Sequence, residues 1–322
     1  MLKIVQRLLD SDEPCVRFKV RTNVLSEDVA SPAMKKLRRE IKASPRVQAL
    51  FAESGMHGRL PHHPYAKWYG AHWIMATLAD IGYPPGDRRL LPWREQVYEW
   101  LLTREGRLRK CPCINGRVRR HASMEGNAVY YLLKLGLADE RIEQLVQGLI
   151  ECQWPDGGWN CDPKPQAHNS SFHESLTPLR GLTLYARLTG DAQARVAARR
   201  AAEIFLKRRM FQQQSDGHVI KEDFVRLHYP CYWHYDVLFG LKVMAEAGFI
   251  GDPRCSDALD LVETKRLPDG GWPAEKKHYA GLSRKLKSQR ELVSWGPVGK
   301  RMNEFVTADA LYVLQAARRL HR

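Results

Sequence analysis

The feature that most restricts how this chain can fold is a short string written twice. Asp-Gly-Gly-Trp runs from Asp156 to Trp159 within "QWPDGGW" and again from Asp269 to Trp272 within "RLPDGGW". The paired glycines supply a positive-φ turn, the aspartate can bond its own backbone nearby, and the tryptophan can pack between neighbouring units. Repetition at this scale points to an architecture in which each unit buries its apolar face against the next. The motif then reads as a staple between successive units.

The units are helical hairpins. Segments with small and apolar residues at three-to-four spacing recur at 68–82, 124–136, 172–190, 234–248 and 306–320, and four of the five close on glycine, a helix C-terminal signal. Between them run more charged helical stretches, such as 140–153 and 191–209, which read as an outer, solvated layer. Two further turns, at 103–108 and 212–218, stand where hairpin ends are expected, and strand signals are nearly absent. With 322 residues the chain can bury a substantial core.

Taken together, these motifs resemble the QW repeats of the squalene and terpene cyclases, whose α/α-toroid is shared by the protein prenyltransferase β subunits. The resemblance covers most of residues 40–320. It implies an all-α fold, a ring of inner helices surrounded by outer ones, as a single domain over 1–322. The stretch "SDEPCVRFKVRTNVL" (11–25) resembles the start of a HEAT-type repeat, so residues 1–40 are expected as a helical segment packed on the toroid.

The family's chemistry does not follow its fold. The Asp-x-Asp-Asp and Asp-Cys-Thr-Ala-Glu acid strings of the cyclases are missing. Of the prenyltransferase zinc ligands, Cys231 matches, but Tyr229 stands where the aspartate belongs and Val306 where the histidine belongs. Cys111, Cys113, Cys152, Cys161, His121 and His168 fall near turns at one end of a toroid, yet their spacings are not those of common zinc modules. They read as free thiols and ordinary histidines, and no cofactor or metal is expected.

Charge supplies the functional expectation. The chain carries 51 Lys and Arg against 36 Asp and Glu. Residues 107–121 hold six cations and no acid, and 276–301 hold eight cations and only Glu291, which accounts for nearly all of the surplus of +15. Both runs lead into inner helices, so they predict a cationic collar at one rim, suited to a polyanion. Arg117, Arg119, Arg120, Arg284, Lys285, Lys287, Arg290, Lys300 and Arg301 are the expected phosphate contacts. Trp68, Trp233 and Tyr235 are candidates to stack on a base, and Asn127, Asn303 and Asp309 to line the bowl. Asp236, Glu125 and Glu174 are the candidate catalytic carboxylates, with His173 or His234 as partner.

Several carboxylates and histidines facing one bowl suit hydrolysis through a cationic transition state. The leading expectation is a nucleic-acid enzyme resembling a DNA glycosylase, which cuts the N-glycosidic bond of a flipped base and needs no cofactor. A divergent isoprenoid cyclase or prenyltransferase gripping a diphosphate is one alternative, and a non-catalytic nucleic-acid-binding toroid another. The N-terminal stretch lacks a signal-peptide core and no run is long and apolar enough for a membrane span, so a soluble, cytoplasmic protein is expected. The seven cysteines agree with a reducing compartment.

Overall fold

The computed structural model describes residues 2–102, 111–282 and 289–320. Its helices are α1 (Leu2–Leu9), α2 (Pro14–Lys19, continued by a π-turn Val20–Val24), α3 (Pro32–Ala43), α4 (Pro45–Phe51), α5 (Ala71–Asp80) and α6 (Leu91–Leu102). They continue with α7 (Ala122–Lys134), α8 (Ile142–Glu151), α9 (Phe172–Thr189), α10 (Ala192–Leu206), α11 (Val237–Glu246), α12 (Ser256–Thr264) and α13 (Glu304–Ala316). A hairpin, β1 (Cys113–Ile114) with β2 (Arg117–Val118), turns at Asn115 and Gly116, both at positive φ.

The five apolar segments are the helices α5, α7, α9, α11 and α13, and each packs on the next around a ring. Gly82, Gly136, Gly190 and Gly248 end four of them in the left-handed conformation, while Arg318 takes that role after α13. The amphipathic helices α6, α8, α10 and α12 lie outside. This is an α/α-toroid.

The N-terminal segment completes the ring. Helix α2 and its π-turn pack against α13, and Lys19 reaches both Asp80 at the end of α5 and Asp309 on α13. Among the described residues six inner helices therefore surround the axis. The expected HEAT-like segment lies within this ring. Helix α1 belongs to the outer layer, where Arg7 pairs with Asp269 of the second repeat turn.

The duplicated motif is built identically in both places. Trp154 N donates to Gly158 O and Gly157 N to Trp154 O; Leu267 and Gly270 donate in the same way to Gly271 and Leu267. Each tryptophan is fully buried and its indole N–H donates back to the outer helix, Trp159 to Leu149 O and Trp272 to Val262 O. Its backbone N–H donates to a hydroxyl oxygen on the following inner helix, Ser175 Oγ for Trp159 and Thr307 Oγ1 for Trp272. Outer helix, turn and next inner helix are thus joined at one point. Gly157 stands at φ +107°, and a Cβ on Gly158 would meet Ser175 Oγ at 2.4 Å. The turn at 212–218 has no tryptophan, and that at 103–108 lies outside the described residues.

No described helix is long and apolar enough to cross a membrane.

Candidate functional site

A cavity lies on the axis of the toroid. It is lined by Asp80, Asn127, Arg180, Asp236, Lys242 and Asp309 from the inner helices, and by His228 to Tyr232 from the loop before α11. Its volume is about 60 Å³, room for a couple of waters by the volume each occupies in the liquid.

The floor is a closed set of charges. Lys242 Nζ lies 2.6 Å from Asp80 and 3.0 Å from Asp309. Lys19 Nζ contacts the same two carboxylates at 3.0 and 2.8 Å. Arg180 makes a bidentate pair with Glu246 at 2.6 and 2.7 Å and lies over the Tyr130 ring. Burial works against ionisation of Asp80, but Lys19, Lys242 and Arg180 outweigh it and hold its pKa well below the ordinary carboxylate range. Burial likewise disfavours charge on Lys242, which Asp309 and Asp80 overcome. Three cations matched to three anions make a buried network that is costly to break.

Above this floor sits an Asp–His pair. Asp236 caps α11 by accepting from Phe239 N at 2.8 Å, and its other oxygen accepts from His228 N at 2.7 Å and lies 3.3 Å from His228 Nδ1 and from Cys231 Sγ. A carboxylate beside Nδ1 selects the tautomer with its proton there, which leaves a lone pair on Nε2. Among the described residues, His228 Nε2, Asn127 Nδ2 and Tyr232 OH have no hydrogen-bond partner although buried. Three cavity-lining side chains thus carry unsatisfied polar atoms, which is costly unless water or a ligand meets them.

The mouth is roofed by stacked rings. Trp68 lies flat on Tyr232 with centroids 4.0 Å apart. A second column runs Trp233, His234, His278, His228 at 4.0, 3.6 and 4.0 Å. Burial pushes His278 down to about 2 and His234 to about 3, each helped by its neighbouring histidines, so both are neutral near pH 7.

The structure divides the expected site residues. Asp236, Asn127 and Asp309 come together at the cavity, and Trp68, Trp233 and His234 stand at its roof. Asp236 is fully engaged in capping α11 and in holding His228. Glu125 is corrected outright: Arg120 holds it in a buried bidentate pair at 2.6 and 2.7 Å, turned toward Cys152 of the outer layer. Asn303 caps α13 and ties Trp295 O, and Tyr235 is core, its hydroxyl bonded to Met210 O. His173 accepts from Tyr235 N and lines a separate surface cleft with Lys221 and Phe224. Burial lowers its pKa to about 4. Glu174 accepts from Ser123 N beside His121.

The collar fares worse. Arg119 is buried over Trp154 and donates to Ala167 O, Arg120 serves Glu125, and Arg290 is buried against Glu53 and Tyr69. These three guanidinium groups hold the protein together and do not face a phosphate backbone. Arg117 is half-buried, and Lys300 and Arg301 are exposed. Arg284, Lys285 and Lys287 lie outside the described residues.

Sequence reasoning missed His228, Asp80, Lys19, Lys242 and Arg180. The available signal was a lone charge inside an apolar stretch of an inner helix, as Lys242 stands in "VLFGLKVMA".

No protein family matches the chain, and neither does any curated protein sequence. Among solved structures it is similar to a family 88 glycosyl hydrolase from Bacteroides vulgatus, with a TM-score of 0.52 at 12% identity over 99% of this chain and 98% of that one. It also aligns with a family 76 glycoside hydrolase from a bovine Bacteroides thetaiotaomicron strain, with a TM-score of 0.47 at 15% identity over 94% and 67% of the respective chains. At this identity the likeness to the family 88 enzyme shows the fold alone, an α/α-toroid. Of the resemblance to the cyclases, the toroid is the part that this likeness supports.

Proposed function

We propose that the protein hydrolyses a glycosidic bond, with the bond's terminal group held in the axial cavity. The observation that carries this reading is the convergence there of the Asp236–His228 pair, the carboxylates Asp80 and Asp309, and the unpartnered Asn127 amide and Tyr232 hydroxyl. His228 Nε2 takes the proton of an attacking water while Asp236 fixes the tautomer and supports the imidazolium that forms. Asp80 and Asp309, each held by Lys19 and Lys242, shape the floor of the cavity, and Asn127 orients a hydroxyl. Tyr232 is placed to donate to the leaving oxygen. That the neighbour of matching length is named a glycosyl hydrolase supports the reaction class.

The N-glycosidic bond of a DNA nucleotide is the narrower form of the same chemistry. Its support is the exposed Lys300 and Arg301, and Trp233 with Lys67 Nζ 5.3 Å from its ring; the internal use of Arg119, Arg120 and Arg290 weighs against it. One experiment compares them. The protein is incubated with a panel of aryl glycosides and oligosaccharides, read as released phenol or reducing ends, and with normal, damaged and modified DNA, read as alkali-labile sites. Sugar release without abasic sites is the expected result; abasic sites alone select the DNA form. Neither product from any substrate removes the hydrolase reading.

A further inference from the structure

The rim carries a second cluster, away from the axial cavity. His121 stands at the position just before α7, Glu174 lies in the first turn of α9, and Cys161 lies in the loop that follows the first repeat turn. Their donor atoms all fall within 4.8 Å of one another. His121 Nδ1 is 3.4 Å from Glu174 Oε1, and Glu174 Oε2 is fixed by Ser123 N at 2.9 Å. The loop bearing Cys161 is anchored by Arg120 N to Asn160 O and by Asn160 Nδ2 to Asn169 O. Glu174 is buried, Cys161 half-buried and His121 exposed, so the cluster has a fixed inner wall and an open outer side.

We infer that His121, Cys161 and Glu174 form a zinc site with one coordination position open to solvent. The donor set decides the ion. A thiolate and an imidazole disfavour magnesium and calcium, whereas sulfur, nitrogen and oxygen together suit zinc. Bonds of about 2.0–2.3 Å to a tetrahedral zinc place ligand atoms roughly 3.3–3.8 Å apart, so a modest inward turn of the exposed His121 completes the geometry. A thiolate beside a buried carboxylate is unfavourable by itself, and a divalent cation exactly offsets that pair of charges. The bound ion ties the 160–171 loop to the starts of α7 and α9 and presents a water at the rim. This inference does not depend on the reaction proposed for the axial cavity.

Cobalt is the probe. The full chain, stripped with chelator and kept reduced, is titrated with Co²⁺, and the thiolate-to-cobalt charge-transfer absorption is followed. The expected result is one equivalent bound with that band, displaced by Zn²⁺. Cys161→Ser abolishes the band, Cys113→Ser keeps it, and His121→Ala weakens cobalt binding at least tenfold, with far-ultraviolet circular dichroism unchanged. No band in the wild type, or a band that survives Cys161→Ser, overturns the site and leaves a hydrogen-bonded trio. Should Cys161→Ser fail to fold, the exposed His121→Ala decides, and unaltered cobalt affinity there overturns the site equally.

Discussion

Lys242 sits in the middle of an apolar helix, and at the residue scale it shows why single charges matter more here than charge runs. Its ammonium joins Asp80 and Asp309 across the axis. Replacing it by methionine removes a cation and leaves two buried carboxylates with only Lys19 between them. Lys242→Met is therefore expected to cost about 3 kcal/mol, read as a lower urea midpoint at unchanged slope; an unaltered midpoint would mean the network is solvated. Trp272 offers a contrast without charge. It is fully buried and bonded to Val262 O, so Trp272→Ala should cost about 3–5 kcal/mol, and Trp159→Ala a similar amount, because both indoles do the same work.

At the scale of elements, the tightest joint is between α7 and α9. A Cβ on Gly126 would lie 2.2 Å from Pro178 N, and one on Gly181 would lie 2.5 Å from Gly126 O. The two backbones touch where no side chain fits. Gly126→Ala is expected to destabilise by about 3 kcal/mol despite alanine's better helix propensity; a gain in thermal midpoint would contradict the close packing. The inner helices were legible in sequence because apolar periodicity and terminal glycines act locally, and Gly82, Gly136, Gly190 and Gly248 all end helices as expected. The closing role of α2 was not. Its helix is short, begins at Pro14 and passes into a π-turn, so the periodic signal is broken, and its position depends on Lys19 meeting partners at 80 and 309. The same limit applies to the site. Asp236, Asn127 and Asp309 were found because polar residues stand out on inner helices. Arg120 and Glu125 misled because five residues of separation hide a mutual pair.

Across the whole molecule, three arginines of the two basic runs, Arg119, Arg120 and Arg290, are spent on internal bonding, while Lys300 and Arg301 stay exposed. The buried titratable groups set the response to pH. His173, His234 and His278 have folded pKa values of about 4, 3 and 2, below the unfolded value near 6.5. The unfolded chain therefore takes up protons first as pH falls, and stability is lost below 6.5, by up to ~1.4 kcal/mol per pH unit for each group. Glu291 acts in the opposite sense. Burial raises it to about 8, so its contribution is complete below the unfolded value near 4.5 and is lost as pH rises toward 8. Stability is expected to peak near pH 6.5, with the decline between 6.5 and 8 removed in Glu291→Gln; denaturation midpoints across pH 5 to 8.5 check both limbs.

The central claim is that the axial cavity, and not the cleft beside His173, is where a glycosidic bond is cut. Turnover of whichever substrate the panel identifies should be compared in His228→Gln and His173→Gln, with circular dichroism confirming that both are folded. The account predicts a fall in kcat of about 10²–10⁴-fold for His228→Gln and nearly wild-type turnover for His173→Gln. Full activity in His228→Gln, or its loss only in His173→Gln, would contradict it.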